Sequence, residues 1–398
     1  MPTTGRRRHD VVIVGARAAG AATALLLARM GHDVVIVERA ELPSDTISTH
    51  QIARTGVVAL QRWGVLTDVV ASGTPAIRQV TFTAGLESTT RVIKDRLGVD
   101  FLVAPRRYVL DTLLAEAAVR AGATLRTGVA VSKVVRDGTG RAEGVYGYDR
   151  DGSPVQIDAR VVVGADGLTS LVARSVGAPV IEQRPALGAT HYAYFAGLSW
   201  PAIEFYSEPG TYAGVFPTND GEACIWVCSP TEKARQATRA AGSAEAMFTT
   251  ELRRAAPSLA GRLEAARRVS PVRGMLRAPN QLRRAYGPGW ALVGDAGYHR
   301  DAISGHGLSD AFRDAEYLAT ALDLLLRGQA PETDALADYQ SRRDRALREI
   351  FELTCAMVQF PAVPDFVELT RSLGLAIEAE AADLAAQPVP GEPQLVTA

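Results

Sequence analysis

The strongest periodic signal lies in the first forty residues. Residues 10–14 form an unbroken apolar run, Asp10-Val-Val-Ile-Val14, and residues 33–38 form a second, Asp33-Val-Val-Ile-Val-Glu38. Runs of this length without polar alternation predict strands buried on both faces. Between them Gly15-Ala-Arg-Ala-Ala-Gly20 predicts a tight turn, and an alanine- and leucine-rich stretch to about Met30 predicts a helix ended by Gly31. Two parallel strands joined by a helix need the right-handed crossover of a doubly wound sheet.

Further along, a polar segment at 44–50 precedes a predicted helix at 56–63. Alternating β-branched and apolar residues from 75 to 103 suggest antiparallel strands. Residues 108–121 read as a helix and 123–135 as a strand, with a hairpin turn at Gly138-Thr-Gly140 leading to a strand at 143–148. Residues 157–164 are another buried strand, ending on Ala165-Asp166-Gly167. From about 180 to 275 the chain reads as strand-rich, with Tyr192, Tyr194, Phe195, Trp200, Phe205, Tyr206, Tyr212, Phe216 and Trp226 often at alternating positions. Tyr194, Phe205, Tyr212, Phe216 and Trp226 are candidate substrate contacts from that platform. The last buried strand is 289–295, and the remainder is helical up to a proline-containing tail.

These elements predict an α/β fold with a discontinuous Rossmann-type domain from 1–70, 105–177 and 275–330. An antiparallel sheet domain from 71–104 and 178–274 would bind substrate, and 331–398 would form a helical C-terminal region. At 398 residues the chain can bury a large core, and 47% hydrophobic against 22% charged residues is an ordinary globular balance. The 43 basic and 44 acidic residues nearly cancel, so neither nucleic acid nor an anionic membrane is an expected partner. No apolar run approaches a membrane span. The basic run Arg6-Arg7-Arg8 leads directly into a strand-length apolar run, so it reads as a solvated entry to the first strand. The three cysteines, Cys224, Cys228 and Cys355, suit neither a disulfide framework nor a zinc site, which predicts no metal and a cytoplasmic location. Cys224 and Cys228 share a strand face with Trp226 and are expected to pack.

Chemistry enters at the glycine turn. Backbone N–H groups at a helix N-terminus favour a phosphate, and glycines let the chain approach it. Gly15, Ala19 and Gly20 fit this, although Arg17 occupies the third position of the usual fingerprint, where it can itself pair with phosphate. Glu38, about 20 residues on and followed by Arg39, can accept ribose hydroxyls. This turn alone does not separate NAD from FAD.

Two later segments add a specific resemblance. Val163-Gly-Ala-Asp166-Gly167-Leu-Thr-Ser170 and Leu292-Val-Gly294-Asp295-Ala296, in order after the glycine turn, resemble the second and third signatures of the group A FAD-dependent monooxygenases, the aromatic hydroxylases. The resemblance extends to about residue 330 and implies an FAD-binding domain. It implies that Gly294 and Asp295 contact the ribityl chain, and that Gly305, Gly307 and Leu308 open a helix aimed at the flavin. Asp166 and Gly167 would serve the pyrophosphate and a passing nicotinamide cofactor. Arg54 resembles the flavin-contacting arginine of the second helix, and Arg107 an Arg-x-x-Leu motif for which Arg106 competes. His299 stands one position late, and the proline common near Ala302 is missing, which alters the loop over the flavin edge. A subgroup with Ser-Asp-Thr-x-Ser-Thr-His and Gly-Asp-Ala-Gly-Tyr-His is more similar.

His50 and His306, with Ala302 and Ser304, fall in segments expected to border the flavin, where an imidazole can orient substrate or move a proton. His9, His32 and His191 are expected at the surface or in packing. The function implied is an FAD-dependent monooxygenase. NADPH or NADH would act as transient reductant, and oxygen would be transferred through a flavin hydroperoxide to an apolar, aromatic or polyketide-like molecule by hydroxylation or epoxidation. A flavin-dependent double-bond reductase of the geranylgeranyl reductase type and a flavin-dependent halogenase are the alternatives. The halogenase reading is opposed by Tyr212-Ala-Gly-Val-Phe-Pro217, which keeps Pro217 but lacks the expected tryptophans. A non-enzymatic nucleotide-binding scaffold is a further class, opposed by retention of all three segments. Monomer and homodimer both stand open.

Overall fold

A computed structural model describes residues 7–48, 50–276 and 278–392. Its larger sheet has the buried strands Arg8–Val14 and Val34–Val37 side by side and parallel, with Pro154–Gly164 on the other flank of the first strand. Trp290–Leu292 and Thr124–Arg126 extend the parallel set at either side. Val11 and Ile13 point to one face, packed by the helices Ala18–Arg29, Arg107–Arg120 and Gly307–Leu326. Val12 and Val14 point to the other, under the hairpin Ala130–Arg136 and Ala142–Tyr148. Burial on both faces explains why these strands carry no polar alternation.

The expected strand at 123–135 is two strands. Gly128, at φ +68°, turns the chain between Thr124–Arg126 at the parallel edge and Ala130–Arg136 in the antiparallel hairpin. Arg7 pairs with Asp33 at 2.9 Å on the surface; Arg6 of the basic run lies outside the described residues.

The second sheet runs Arg267–Arg268, Gly188–Ala196, Ala223–Pro230, Thr211–Pro217, Ile203–Glu208, Gln79–Ala84, Glu87–Val92, with Arg273–Leu276 also on Gly188–Ala196. Alternation splits its side chains cleanly. Tyr192, Tyr194, Tyr212, Phe216, Cys224, Trp226 and Cys228 face the C-terminal helices Glu332–Met357 and Val363–Ala385. Ala193, Phe195, Val215, Ile225 and Val227 face Phe248, Leu252 and Leu259.

Those last three residues lie on helices, which corrects the strand-rich reading of 180–275. Thr231–Ala241, Ala244–Ala255 and Pro257–Arg262 are helical. The signals are local: the Ser243 hydroxyl accepts from Ala246 N at 3.1 Å as a cap, Pro257 opens the third helix, and Met247, Phe248, Leu252 and Ala255 recur at helical spacing. Among the described residues no helix is long and apolar enough to cross a membrane.

Candidate functional site

Register brings the three sequence signatures together. Val14 is level with both Val37 and Gly164, and Gly164 is level with Leu292. The glycine turn, Glu38, Ala165-Asp166 and Val293-Gly294 therefore emerge side by side from the carboxyl ends of four neighbouring parallel strands, the edge where open α/β sheets bind ligands. Contact is tight enough to exclude side chains. At Gly15, with φ +105°, a Cβ would collide with the Ala165 carbonyl oxygen; at Gly294 it would lie 2.8 Å from the Ala19 methyl.

The helix that starts at Ala18 has no side-chain cap and no acid in its first turn, so its N-terminal N–H groups and positive dipole end suit an anion. Glu38 is buried. Its carboxylate accepts from Ala16 N and Ala40 N, each at 3.0 Å, which fixes the turn and leaves lone pairs for further donors. Arg39 beside it is exposed. Arg17 turns away from the N-terminus: Nη1 reaches Asp111 at 3.1 Å and Nη2 reaches the Ser44 hydroxyl at 3.0 Å. Arg107 donates to the other Asp111 oxygen at 2.9 Å. Fully buried Asp111 thus holds two guanidiniums beside the turn with one carboxylate, a net positive setting. Sequence reasoning missed Asp111, because an acid one helical turn after Arg107 reads as an ordinary helix pair.

Asp166 accepts Leu171 N at 2.6 Å, Val172 N at 3.0 Å and the Ser170 hydroxyl at 2.5 Å, capping the short helix Leu171–Val176. Gly167 follows at φ +77°, and Asp295 is exposed just beyond its strand. These residues, the Ala18 helix start, Glu38 and Gly294 provide an anion-binding N-terminus, hydroxyl acceptors and a backbone cradle, which fits FAD.

The second helix N-terminus follows Gly305, whose left-handed backbone at φ +62° favours glycine and which stands against the Gln51 side chain. Gly307 and Leu308 begin the helix. His306 is buried just ahead of them, with Nε2 2.5 Å from Glu380 Oε2. Glu380 also pairs with Arg313 and accepts the Thr55 hydroxyl at 2.8 Å. Arg313 in turn bonds Asp310 and Asp314 at 2.9 and 2.7 Å, and Arg300 pairs with Asp310. Burial alone would raise the Glu380 pKa, but the charges of His306 and Arg313 outweigh it and hold the carboxyl well below its usual range. Burial raises Asp314 to about 6 against the opposing pull of Arg313. His306, Asp310 and Glu380 have metal-ligand spacing, but two guanidiniums already neutralise the acids, so the chemistry favours an ion-pair network over a cation site. Arg300, Arg313 and Glu380 were not legible from sequence, because the partners lie on segments far apart in the chain.

His50 stands elsewhere, in a left-handed conformation at φ +68° and almost fully buried. Its Nε2 meets the Tyr194 hydroxyl, and the Arg106 guanidinium lies 3.6 Å over the Tyr194 ring. Burial, with the positive charges of Arg107, Arg106 and Arg273, pushes the His50 pKa well below 6.5, so the imidazole is neutral. Burial raises the Tyr194 phenol pKa, and Cys224 and Tyr192 add to it. Arg106 also bridges Asp45 and Glu222, both at 2.9 Å.

A cavity of about 370 Å³ lies between the second sheet and the C-terminal helix. Phe205, Tyr212, Phe216 and Trp226 line it, together with Ala302, Ser304 and Gly305 from the loop before the second helix and Arg54. Tyr194, His50 and His306 are not among its lining residues. Arg54 is buried, with Nε 2.7 Å from Glu378. Leu373, Gly374 and Ile377 also line it, which puts the C-terminal helix over the cavity.

Comparisons with known proteins identify a family. The FAD binding domain model matches residues 8–354. The chain is 27% identical over 376 residues to digeranylgeranylglycerophospholipid reductase 1 of Methanopyrus kandleri, covering 92% of this chain and 93% of that protein. It is 28% identical over 390 residues to menaquinone reductase of Mycolicibacterium smegmatis, with 92% and 88% covered. Pseudomonas aeruginosa PqsL in complex with 2-aminobenzoylacetate superposes with a TM-score of 0.78 at 26% identity, covering 92% of this chain and all of that one. The flavin-dependent brominase Bmp2, as a triple mutant, has a TM-score of 0.81 at 18% identity over 96% of each chain, a likeness of fold alone.

Proposed function

The chain belongs to the FAD binding domain family and is a flavin-dependent oxidoreductase, and from that premise we propose that it is an NAD(P)H-dependent monooxygenase acting on an apolar, aromatic-sized molecule. The observation that carries this reading is continuity: the loop Ala302-Ile-Ser-Gly305 lines the aromatic cavity and leads directly into the helix N-terminus suited to the flavin. Bound FAD supplies electron exchange with the nicotinamide and activation of oxygen. One substrate, one oxygen, one NAD(P)H and one proton give oxygenated substrate, water and NAD(P)⁺.

Segments 1–70, 105–177 and 275–330 hold the cofactor in this reading, segments 71–104 and 178–274 hold substrate, and 331–398 closes the cavity. Gly15, Ala19, Gly20 and Gly167 let backbone approach the pyrophosphate, with Arg17, Arg107 and Asp111 as the charged support. Glu38 and Asp295 accept hydroxyl hydrogen bonds. Ser304, whose buried hydroxyl has no partner among the described residues, hydrogen-bonds substrate in the cavity. His50, neutral, holds the Tyr194 hydroxyl behind the cavity, and the His306–Glu380 pair fixes the second helix N-terminus. The aromatic walls exclude water.

Double-bond reduction is a second reading, favoured by the near full-length alignments with proteins named as reductases. Anaerobic mixing of the FAD-loaded protein with NADPH or NADH, followed by oxygen, tests both. Flavin bleaching by the nucleotide, and oxygen consumption that substrate couples to an oxygenated product, is the expected result. Bleaching by neither nucleotide would sink the monooxygenase reading; bleaching followed by consumption of an alkene without oxygen uptake would replace it with reduction.

A further inference from the structure

We propose that the substrate of this cavity carries an acidic group, a carboxylate or phosphate, held at the open end by Arg91, Lys94 and Arg96 while its apolar body lies among the aromatic side chains. The inference rests on the cavity being the substrate site and adds its charge class. The interior is apolar, with Phe216, Trp226, Ile303 and Leu373 buried. The exposed part of the lining is different: Arg91, Lys94 and Arg96 come from the end of strand Glu87–Val92 and the loop after it, and all three are exposed.

The charge count at this end is unbalanced. Counting Arg54, four cations line the cavity and Glu378 is the one carboxylate among the lining residues. Glu378 is shared by Arg54 at 2.7 Å and Arg96 at 3.2 Å. Arg54 is further consumed by backbone carbonyls, including Lys94 O at 3.2 Å. Among the described residues Arg91 and Lys94 have no ion pair. Asp95 lies in the same loop but does not line the cavity, and Asp100 is paired with Arg78 at 3.2 Å. A low-dielectric pocket with excess positive charge at its opening focuses potential there and favours an anionic end on an entering ligand. Gly374 lines the same cavity from helix Val363–Ala385: it is exposed, and a Cβ there would meet nothing within 4 Å, so a larger side chain at this position has open space to enter.

Binding to the FAD-loaded protein is read with 1-pyrenebutyrate and its neutral analogue 1-pyrenebutanol, by fluorescence anisotropy at low salt. The anion is expected to bind about tenfold tighter, with the preference falling as salt rises. Arg91→Gln and Lys94→Gln should each lower the preference by roughly two- to fivefold and leave the neutral probe unchanged, as partly exposed charges do. Gly374→Phe should abolish binding of both by filling the cavity. Equal affinity for the two probes, binding of neither, a preference that survives the Arg91/Lys94 double variant, or binding undisturbed by Gly374→Phe in a protein that retains FAD would each overturn the proposal. Selective anion binding by a protein that no nucleotide reduces would remove the monooxygenase reading and leave this one standing.

Discussion

Gly294 faces Ala19 so closely that a Cβ on Gly294 would stand 2.8 Å from the Ala19 methyl, and its backbone is left-handed at φ +60°. The third signature is thereby packed onto the helix that follows the first. Gly294→Ala adds both strain and overlap, so a loss of about 1–3 kcal/mol in stability is expected. Urea unfolding checks the cost, and the flavin-to-protein absorbance ratio after gel filtration should fall.

Glu38 supports the same edge from the side. Glu38→Gln can keep only part of the hydrogen bonding to Ala16 N and Ala40 N. A cost of about 1–3 kcal/mol is expected because the acceptor is charged and buried. FAD titration of the apo-protein should show roughly ten- to hundredfold weaker binding; unchanged affinity would remove Glu38 from the cofactor site.

The depressed pKa of His50 makes stability depend on pH with a definite sign. Below 6.5 the unfolded chain takes up a proton that the folded state refuses, so stability is present above that value and lost as pH falls through it. The slope from one group is at most about 1.4 kcal/mol per pH unit. His50→Gln should show a smaller drop in Tm between pH 7.5 and 5.5 than the parent, whatever its absolute stability. An equal drop would mean that His50 titrates freely in the folded protein.

The ion-pair network joins the C-terminal helix to the second helix N-terminus through Glu380, His306 and Arg313. Glu380→Gln removes the carboxylate partner of His306 and one of three carboxylates on Arg313, which keeps Asp310 and Asp314, with an expected cost of about 1–3 kcal/mol. Thermal denaturation reads this directly. A loss below about 1 kcal/mol would show that the pairing is not maintained in solution.

Gly374→Ala works in the opposite direction. The residue is helical and unobstructed, so alanine should stabilise the protein by about 0.5–1 kcal/mol. The same variant should weaken ligand binding in the cavity modestly, a separation of stability from binding that urea unfolding and the pyrene probes measure on one sample.

The sequence by itself determined the features set by local backbone chemistry. Doubly buried strands read as unbroken apolar runs, so residues 10–14, 33–38 and 157–164 were placed correctly, and the glycine turn, Glu38 and Asp166 stand at their ends; the strand expected at 289–295 is shorter, Trp290–Leu292, with Gly294–Ala296 in a helical turn after it. The alternating aromatics of 192–226 identified the sheet and four residues that line the cavity, because a period of two fixes which side chains share a face. What only the tertiary structure decided are relationships with no fixed sequence separation. Arg17 and Arg107 meet on Asp111, His50 finds Tyr194, and Glu380 reaches back to His306 from a distant helix. The three helices at 231–262 escaped notice because their caps and apolar spacing are short signals beside a long aromatic alternation. The cationic opening of the cavity belongs to the same class: Arg91, Lys94 and Arg96 look like ordinary surface charge until the sheet brings them beside a helix nearly three hundred residues later in the chain.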